Sequence, residues 1–418
     1  MNRGSSLDPV FLLIIGGASA IAFYMAWSIG ANDVANSMAT AVGAKAITFK
    51  QAVIIAGILN FVGAVFVGPH VAETIKGKIV DIEIINDPSI LLLGFVASLL
   101  AAAIWVTLST WKEMPISTTH SIIGALMGFG IIAGGISSIN WGKIGSVAAS
   151  WVISPIAGCI IAFFVFKIIV RLIFSKEEPV KSAKIVGPII IGVTAFLITS
   201  SLLLKTQLST ILGITDPVMV TLISLIVSVV VIFLSIFAFR KVVAKKAEDY
   251  QTVENIFRKL QIGTSCYVAF SHGANDVANA IGPVAAIVPL ASTGEMSPTA
   301  QIPIYLLALG GIGIAVGCMT WGRKVMRTVG GRITSLTNTR GFSVDFGAAT
   351  TVLVASKLGL PISTSHTVVG AVIGVGLARG LEAIDLSIIK KIIISWLVTL
   401  PIAAGTSIVI FLVLRLFI

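Results

Sequence analysis

The sequence predicts an all-α protein with about twelve membrane-spanning helices, arranged as two related halves of opposite orientation. Three observations lead to this prediction: an apolar composition, a series of apolar runs long enough to cross a bilayer, and two polar motifs that each occur twice. Of 418 residues, 56% are hydrophobic and 11% are charged, with a mean hydropathy of +1.03. Soluble domains carry about 25% charged residues, so this composition excludes a soluble globular protein.

The apolar runs are the elements of this fold, because about 20 residues of α-helix cross the hydrocarbon core of a bilayer. The run at 143–174 is longer than that, which indicates a tilted helix or one that continues into the cytosol. Shorter Gly-rich apolar tracts follow Pro115 and Pro361, so we expect about ten to twelve crossings and favour twelve. The other runs are 9–29, 48–69, 88–110, 186–204, 217–239, 301–319 and 388–416.

An internal repeat relates the two ends of the chain. The heptapeptide Gly-Ala-Asn-Asp-Val-Ala-Asn occurs at 30–36 and again at 273–279. Pro-Ile-Ser-Thr-Thr-His at 115–120 recurs as Pro-Ile-Ser-Thr-Ser-His at 361–366, in the same order and at nearly the same spacing. The predicted units are a first repeat at 1–175, two additional helices with a cytoplasmic charged loop at 176–260, and a second repeat at 261–418.

Loop charges indicate that the repeats have inverted topology. The segment 240–259 before the second repeat holds six Lys or Arg residues, which marks it as cytoplasmic. The segment 321–342 is also basic, whereas its counterpart at 71–87 has two lysines among four acids. Inverted repeats place a substrate site near the middle of the membrane. We expect a multi-pass protein of the plasma membrane with both termini outside the cytoplasm.

Two aspartates occupy the heptapeptide motifs. An ionisable side chain at membrane depth is costly, so it is a functional-site hypothesis by default. A carboxylate that caps a broken helix or pairs with a buried base is the alternative, but identical flanking residues in both motifs favour a site. Carboxylate and amide oxygens are typical ligands of a hard cation. The predicted cation ligands are Asp33, Asn36, Asp276 and Asn279, with Asn32 and Asn275 as further candidates.

The Pro-Ile-Ser-Thr motifs predict helix starts, because Pro suits the first turn and Ser or Thr caps it. A buried helix N-terminus offers free N–H donors and a positive dipole end to an anion. Short breaks before both motifs favour re-entrant helical hairpins, whose irregular backbone must lie in protein or line a cavity. Alternatively, the hydroxyls satisfy backbone carbonyls. The predicted anion-binding residues are Ser117, Thr118, Thr119, Ser363, Thr364 and Ser365.

The remaining polar residues allow fewer inferences. His120 and His366 end the repeated motifs, so we expect either a structural anchor or a proton-linked role. His70 and His272 have no counterpart and are interpreted as incidental. The three cysteines lack metal-type spacing and indicate no disulfide framework. The net charge of +11 reflects basic cytoplasmic loops rather than a nucleic-acid partner.

The duplicated motifs resemble the signatures of the inorganic phosphate transporter (PiT) family, and the segments 341–345 and 321–323 are similar as well. The resemblance implies a secondary carrier, not an enzyme, that moves phosphate with sodium or protons, as a homodimer in the lipid bilayer. It implies no cofactor beyond the co-transported ion. The family also includes sulfate carriers, so sulfate stays open. Several relatives carry Glu where this chain has Asn60, and the loss of that proton carrier favours sodium.

Charge balance predicts how coupling arises. Phosphate beside Asp33 and Asp276 gives about three to four negative charges, and neither motif contains Arg or Lys. Cations must neutralise this site, so anion and cation binding favour each other. We therefore expect sodium–phosphate symport by alternating access, with a proton-coupled phosphate or sulfate permease as the alternative. A passive anion channel fits a closed, neutralised site less well, and an intramembrane hydrolase would need a nucleophile–base geometry that the motifs do not indicate.

Overall fold

The computed structural model describes residues 9–75, 79–85, 87–205, 212–214, 216–240, 249–293, 302–357 and 362–417. Over these ranges the chain is helical and forms no sheet, which confirms the all-α prediction. Twelve helices of 16 residues or more lie within the described ranges. The first six are α1 (Pro9–Gly43), α2 (Phe49–Ile75), α3 (Pro88–Trp111), α4 (Thr118–Gly134), α5 (Trp141–Ile169) and α6 (Pro179–Lys205). The others are α7 (Pro217–Arg240), α8 (Asp249–Thr293), α9 (Ile304–Trp321), α10 (Asn338–Lys357), α11 (Thr364–Arg379) and α12 (Leu386–Arg415).

Eight of the described helices are long and apolar enough to cross a membrane, so the chain is a multi-pass membrane protein. They are α1, α2, α3, α5, α6, α7, α9 and α12. Helices α4 and α11 are shorter and follow the two Ser/Thr motifs, while α8 and α10 carry more polar residues. The number of crossings, about twelve, and the re-entrant form of α4 and α11 stay predictions. The charged loop residues 241–248 and the termini at 1–8 and 418 lie outside the described residues.

Both heptapeptide motifs lie inside long, uninterrupted helices. The first belongs to the 35 residues of α1, and the second to the 45 residues of α8. Neither aspartate therefore caps a broken helix. The expected boundary at 175 falls just before α6, whereas the one at 260 falls within α8.

Four helix pairs join the two repeats. Helix α1 packs on α9 and α2 on α8, while α4 packs on α12 and α5 on α11. These pairs correspond to one another under the motif repeat, although the opposite orientation of the repeats stays a prediction. The additional helices α6 and α7 pack on each other, and α6 also contacts α8.

Glycine begins both heptapeptides because helices cross there at backbone distance. A Cβ atom at Gly30 would lie 1.9 Å from the carbonyl oxygen of Ile314 in α9. A Cβ atom at Gly273 would lie 2.1 Å from the carbonyl oxygen of Asn60 in α2. Real Cβ atoms do not approach backbone so closely, so any larger residue would push the helices apart. These two crossings bring the carboxylates, three residues further along, into the same interior region.

Candidate functional site

Asp33 of α1 and Asp276 of α8 meet in the interior, where they are 1% and 4% exposed. His272 lies between them. Its Nε2 atom is 2.6 Å from Asp276 Oδ2 and 3.6 Å from Asp33 Oδ2. The three side chains each offer one ligand atom, all within 4.8 Å of one another, and this arrangement can hold a cation. The interpretation of His272 as incidental is therefore wrong. Its position one helical turn before Asp276 was the signal that could have identified it.

A hydrogen bond from α2 sets the orientation of the imidazole. Asn60 donates its amide Nδ2 to the carbonyl oxygen of Ala56 at 2.8 Å, so its Oδ1 must face the other way. That Oδ1 lies 2.6 Å from His272 Nδ1, which therefore carries a proton and donates. Nε2 then faces the two carboxylates, and neither it nor Asp276 Oδ2 has a well-aligned hydrogen-bond partner among the described residues. Either a proton on Nε2 or a bound cation would satisfy both atoms.

Hydroxyl groups from both repeats converge on Asp33. Thr118, at the start of α4, donates to Oδ2 at 2.8 Å. Ser365, in the first turn of α11, donates to Oδ1 at 3.1 Å. The neighbouring Asn36 donates its Nδ2 to the same Oδ1 at 3.1 Å and to Ser365 Oγ at 2.8 Å. The cation and anion motifs predicted separately thus form one continuous cluster.

The equivalent asparagine of α8 makes the reciprocal contact. Asn279 Nδ2 lies 3.4 Å from Asp276 Oδ1 and donates to Thr119 Oγ1 of α4 at 3.3 Å. Thr119 and Ser365 occupy the same place in their motifs, as do Asn36 and Asn279. Each asparagine therefore contacts a hydroxyl from the opposite repeat, and the site requires both halves of the chain.

The helices after the Ser/Thr motifs begin where the sequence predicts. Ser117 accepts the backbone N–H of His120 at 3.2 Å, and Ser363 accepts that of His366 at 3.3 Å, so both hydroxyls are N-caps. Their own protons are still available for donation. Thr364 lines a small pocket beside His272. Asn36, Ser271, His272 and Asn275 also line it.

Asn32 has a different environment from the other asparagines of the motifs. Its Nδ2 donates to Thr110 Oγ1 at 2.9 Å and to the Met114 carbonyl at 3.1 Å. Its Oδ1 accepts the backbone N–H of Ile116 at 3.2 Å. Asn32 thus supplies hydrogen-bond partners to backbone groups of the non-helical segment between α3 and α4. Glu113 in this break has φ of 60° and pairs with Arg332 at 2.7 Å.

The motif histidines contact each other across the repeats. The rings of His120 and His366 lie 4.5 Å apart between centroids, in an edge-to-face arrangement. His120 also packs on Trp151 at 3.8 Å, and His366 on Trp396 at 3.7 Å. Trp396 in turn donates its Nε1 to the Pro115 carbonyl at 3.3 Å. This packing supports the structural anchor among the two expected roles. Residue 70 is helical, and its side chain lies outside the described part.

A third buried carboxylate, Asp345 of α10, escaped the site prediction and is 2% exposed. Its Oδ1 accepts from Thr40 at 2.8 Å, and its Oδ2 accepts from Ser265 at 2.6 Å and Thr264 at 3.3 Å. These partners come from α1 and α8, so only the folded chain brings them together. The hydroxyls satisfy the carboxylate, and no basic side chain of the described ranges pairs with it.

Comparison with known proteins gives consistent matches. The model of the phosphate transporter family matches residues 29–407. A protein of Pyrococcus abyssi, whose name describes it as a phosphate permease, is 51% identical over 98% of this chain and 98% of its own. The inorganic phosphate transporter 2-1 of Arabidopsis thaliana chloroplasts is 37% identical, over 96% of this chain and 74% of its own. A solved structure described as the sodium-dependent phosphate transporter is 49% identical, with a TM-score of 0.89 over 97% of this chain and 100% of its own.

Proposed function

The chain belongs to the phosphate transporter family, and on this premise we propose that it takes up phosphate together with sodium ions. Phosphate transport is the function of the family, and the chain is a transporter rather than an enzyme. Sodium as the coupling ion, the plasma membrane as the location and a homodimer as the assembly are parts of the proposal. The structurally similar protein described as sodium-dependent supports the choice of ion.

The observation that carries the proposal is the paired carboxylates of Asp33 and Asp276. The carboxylate oxygens are the cation ligands of this cluster: Asn36 and Asn279 turn their amide Nδ2 groups toward them, and the hydroxyls of Thr118 and Ser365 donate to Asp33. Hard cations such as sodium prefer such oxygen ligands. We assign the cation to the carboxylates and the phosphate to the adjoining N-termini of α4 and α11, because a helix N-terminus offers backbone N–H donors to an anion.

Coupling then follows from electrostatics. His272 is the one basic side chain that contacts the two carboxylates among the described residues. A phosphate that entered beside two uncompensated carboxylates would be repelled by several kcal/mol at low effective dielectric. Sodium removes this repulsion, so each ligand raises the affinity of the other by the same factor. Alternating access of the two repeats would carry them together.

The test is uptake of radiolabelled phosphate into liposomes that contain the purified chain, with sodium and pH gradients imposed separately. We expect uptake to require inward sodium and to be lost in Asp33→Asn and Asp276→Asn. The matched control is Asp385→Asn, since this exposed residue caps α12 and asparagine also caps. Uptake driven equally by a pH gradient without sodium would exclude sodium coupling. Normal concentrative uptake by folded Asp33→Asn protein would show that the carboxylates are structural.

Proton coupling is the second candidate, and His272 favours it. This residue places a proton-accepting nitrogen against both carboxylates, a group that the sequence argument for sodium did not include. The same experiment separates the two candidates, because a proton-coupled carrier concentrates phosphate in sodium-free buffer. Sulfate added as a competitor tests the anion, and we expect phosphate to be preferred.

A further inference from the structure

Two arginines converge on one exposed serine at an end of the second repeat that is distant from the carboxylates. Arg379, which ends α11, donates its Nη1 to Ser335 Oγ at 3.0 Å and to the Ser335 carbonyl at 3.2 Å. Arg340, in the first turn of α10, donates its Nη1 to the same two atoms at 3.4 Å and 3.2 Å. The two guanidinium groups are therefore close neighbours.

The two guanidinium groups bring two positive charges beside one nearby acid, Glu254. Neither arginine forms an ion pair with an acidic side chain in the described part of the chain. Glu254 attracts Arg340, but its two oxygens accept the Thr337 hydroxyl at 2.9 Å and the Thr339 N–H at 3.0 Å, at the start of α10. Two cations that share a neutral acceptor repel each other, and an anion between them would remove the repulsion.

The donors needed for such an anion are present. A guanidinium has five N–H donors, and the hydrogen bonds of Arg340 and Arg379 to described residues all use Nη1. Ser335 Oγ accepts from both arginines, so its own proton can be donated. Ser335 and Arg379 are exposed, and Arg340 is half-buried. We propose that Arg340, Arg379 and Ser335 form a second anion site, which binds one phosphate group through two planar guanidinium forks.

The position of this arginine site indicates which phosphate groups can reach it. Arg340 lies in the segment 321–342, which the positive-inside rule assigns to the cytoplasm, and Arg379 contacts Ser335 of the same segment. Transported phosphate is released on that side. A bound phosphate group would join the end of α11 to the start of α10, and α11 begins at the Thr364–Ser365 contact with Asp33. The ligand is either free inorganic phosphate or the headgroup of an anionic lipid at the membrane surface. The inference does not depend on which ion drives transport.

Free phosphate is tested by binding of radiolabelled inorganic phosphate to the purified full chain in sodium-free buffer. We expect a saturable site whose affinity falls about tenfold or more in Arg379→Gln and in Arg340→Gln. Arg379→Lys keeps the positive charge but loses the planar fork of N–H donors. Its affinity for phosphate should therefore lie between that of the original chain and that of Arg379→Gln. Arg171→Gln, which removes an arginine elsewhere, is the control. If phosphate also binds beside the carboxylates without sodium, a second binding component remains in the double variant Arg340→Gln/Arg379→Gln.

Lipid is tested by thermal unfolding of the chain in vesicles of phosphatidylglycerol and of phosphatidylcholine. If the headgroup is the ligand, phosphatidylglycerol should stabilise the original chain but not the double variant Arg340→Gln/Arg379→Gln. Retained phosphate uptake by the double variant demonstrates that it is folded. Equal phosphate binding and equal lipid response of the original chain and a folded double variant would overturn the proposal.

Discussion

At the scale of single residues, His272 makes the two repeats unequal at the centre of the site. The equivalent position in the first repeat is Ile29, which is apolar and fully buried. One imidazole therefore serves two carboxylates, and its orientation depends on a single acceptor, Asn60 Oδ1.

Replacement of Asn60 by leucine tests this dependence. Asn60→Leu should leave the buried Nδ1–H of His272 unpaired, which costs about 1–3 kcal/mol and lowers both the melting temperature and phosphate uptake. Asn60→Asp keeps an acceptor for Nδ1 but loses the donor to the Ala56 carbonyl, so it should unfold at a higher temperature than Asn60→Leu and below the original chain. Thermal unfolding and uptake are measured on the same preparations. Unchanged stability and uptake in Asn60→Leu would mean that another group orients the imidazole.

The sequence was informative where residues recur and uninformative where they do not. Repetition and the cost of a carboxylate at membrane depth pointed to Asp33 and Asp276. The Ser/Thr motifs located the starts of α4 and α11 at Thr118 and Thr364. His272 was missed because the site prediction selected polar residues that recur in both repeats, and this histidine occurs in one repeat. Asp345 was missed because its hydroxyl partners come from α1 and α8, and no spacing in the sequence relates three helices.

At the scale of helices, the site depends on how closely α8 approaches α2. Gly273→Ala should place a methyl group against the Asn60 carbonyl, and this backbone group cannot rotate away as a side chain could. The free energy of unfolding should fall by about 1–3 kcal/mol, or the variant should not fold. Gly263 is a matched control in the same helix, because a Cβ atom there meets nothing within 4 Å. Gly263→Ala should be neutral or stabilise by up to about 1 kcal/mol. Thermal unfolding of both variants checks this, and equal effects would contradict the close approach.

At the scale of the whole molecule, the orientation of the repeats can be tested with cysteines. Ser89 follows the segment 71–87, which is predicted to lie outside the cytoplasm. Lys259 lies in the segment 240–259, which is predicted to be cytoplasmic, and both side chains are exposed. In a background without the three native cysteines, Ser89→Cys should react with an impermeant thiol reagent on intact cells, and Lys259→Cys should react only after lysis. Labelling of both from outside would indicate parallel repeats, in which the N-termini of α4 and α11 would not face one phosphate.

The contact between Asp33 and Ser365 also has a consequence for biosynthesis. The two residues are 332 positions apart in the chain. At ribosomal speeds of about 5–20 residues per second, Asp33 is synthesised roughly 20 to 70 seconds before that partner. A carboxylate in lipid is costly during this interval, so α1 must remain beside the translocon or in contact with water until α8 and α11 emerge. The transport site is therefore among the last parts of the protein to form, and a ribosome that stops before the second repeat leaves α1 without a stable place in the membrane.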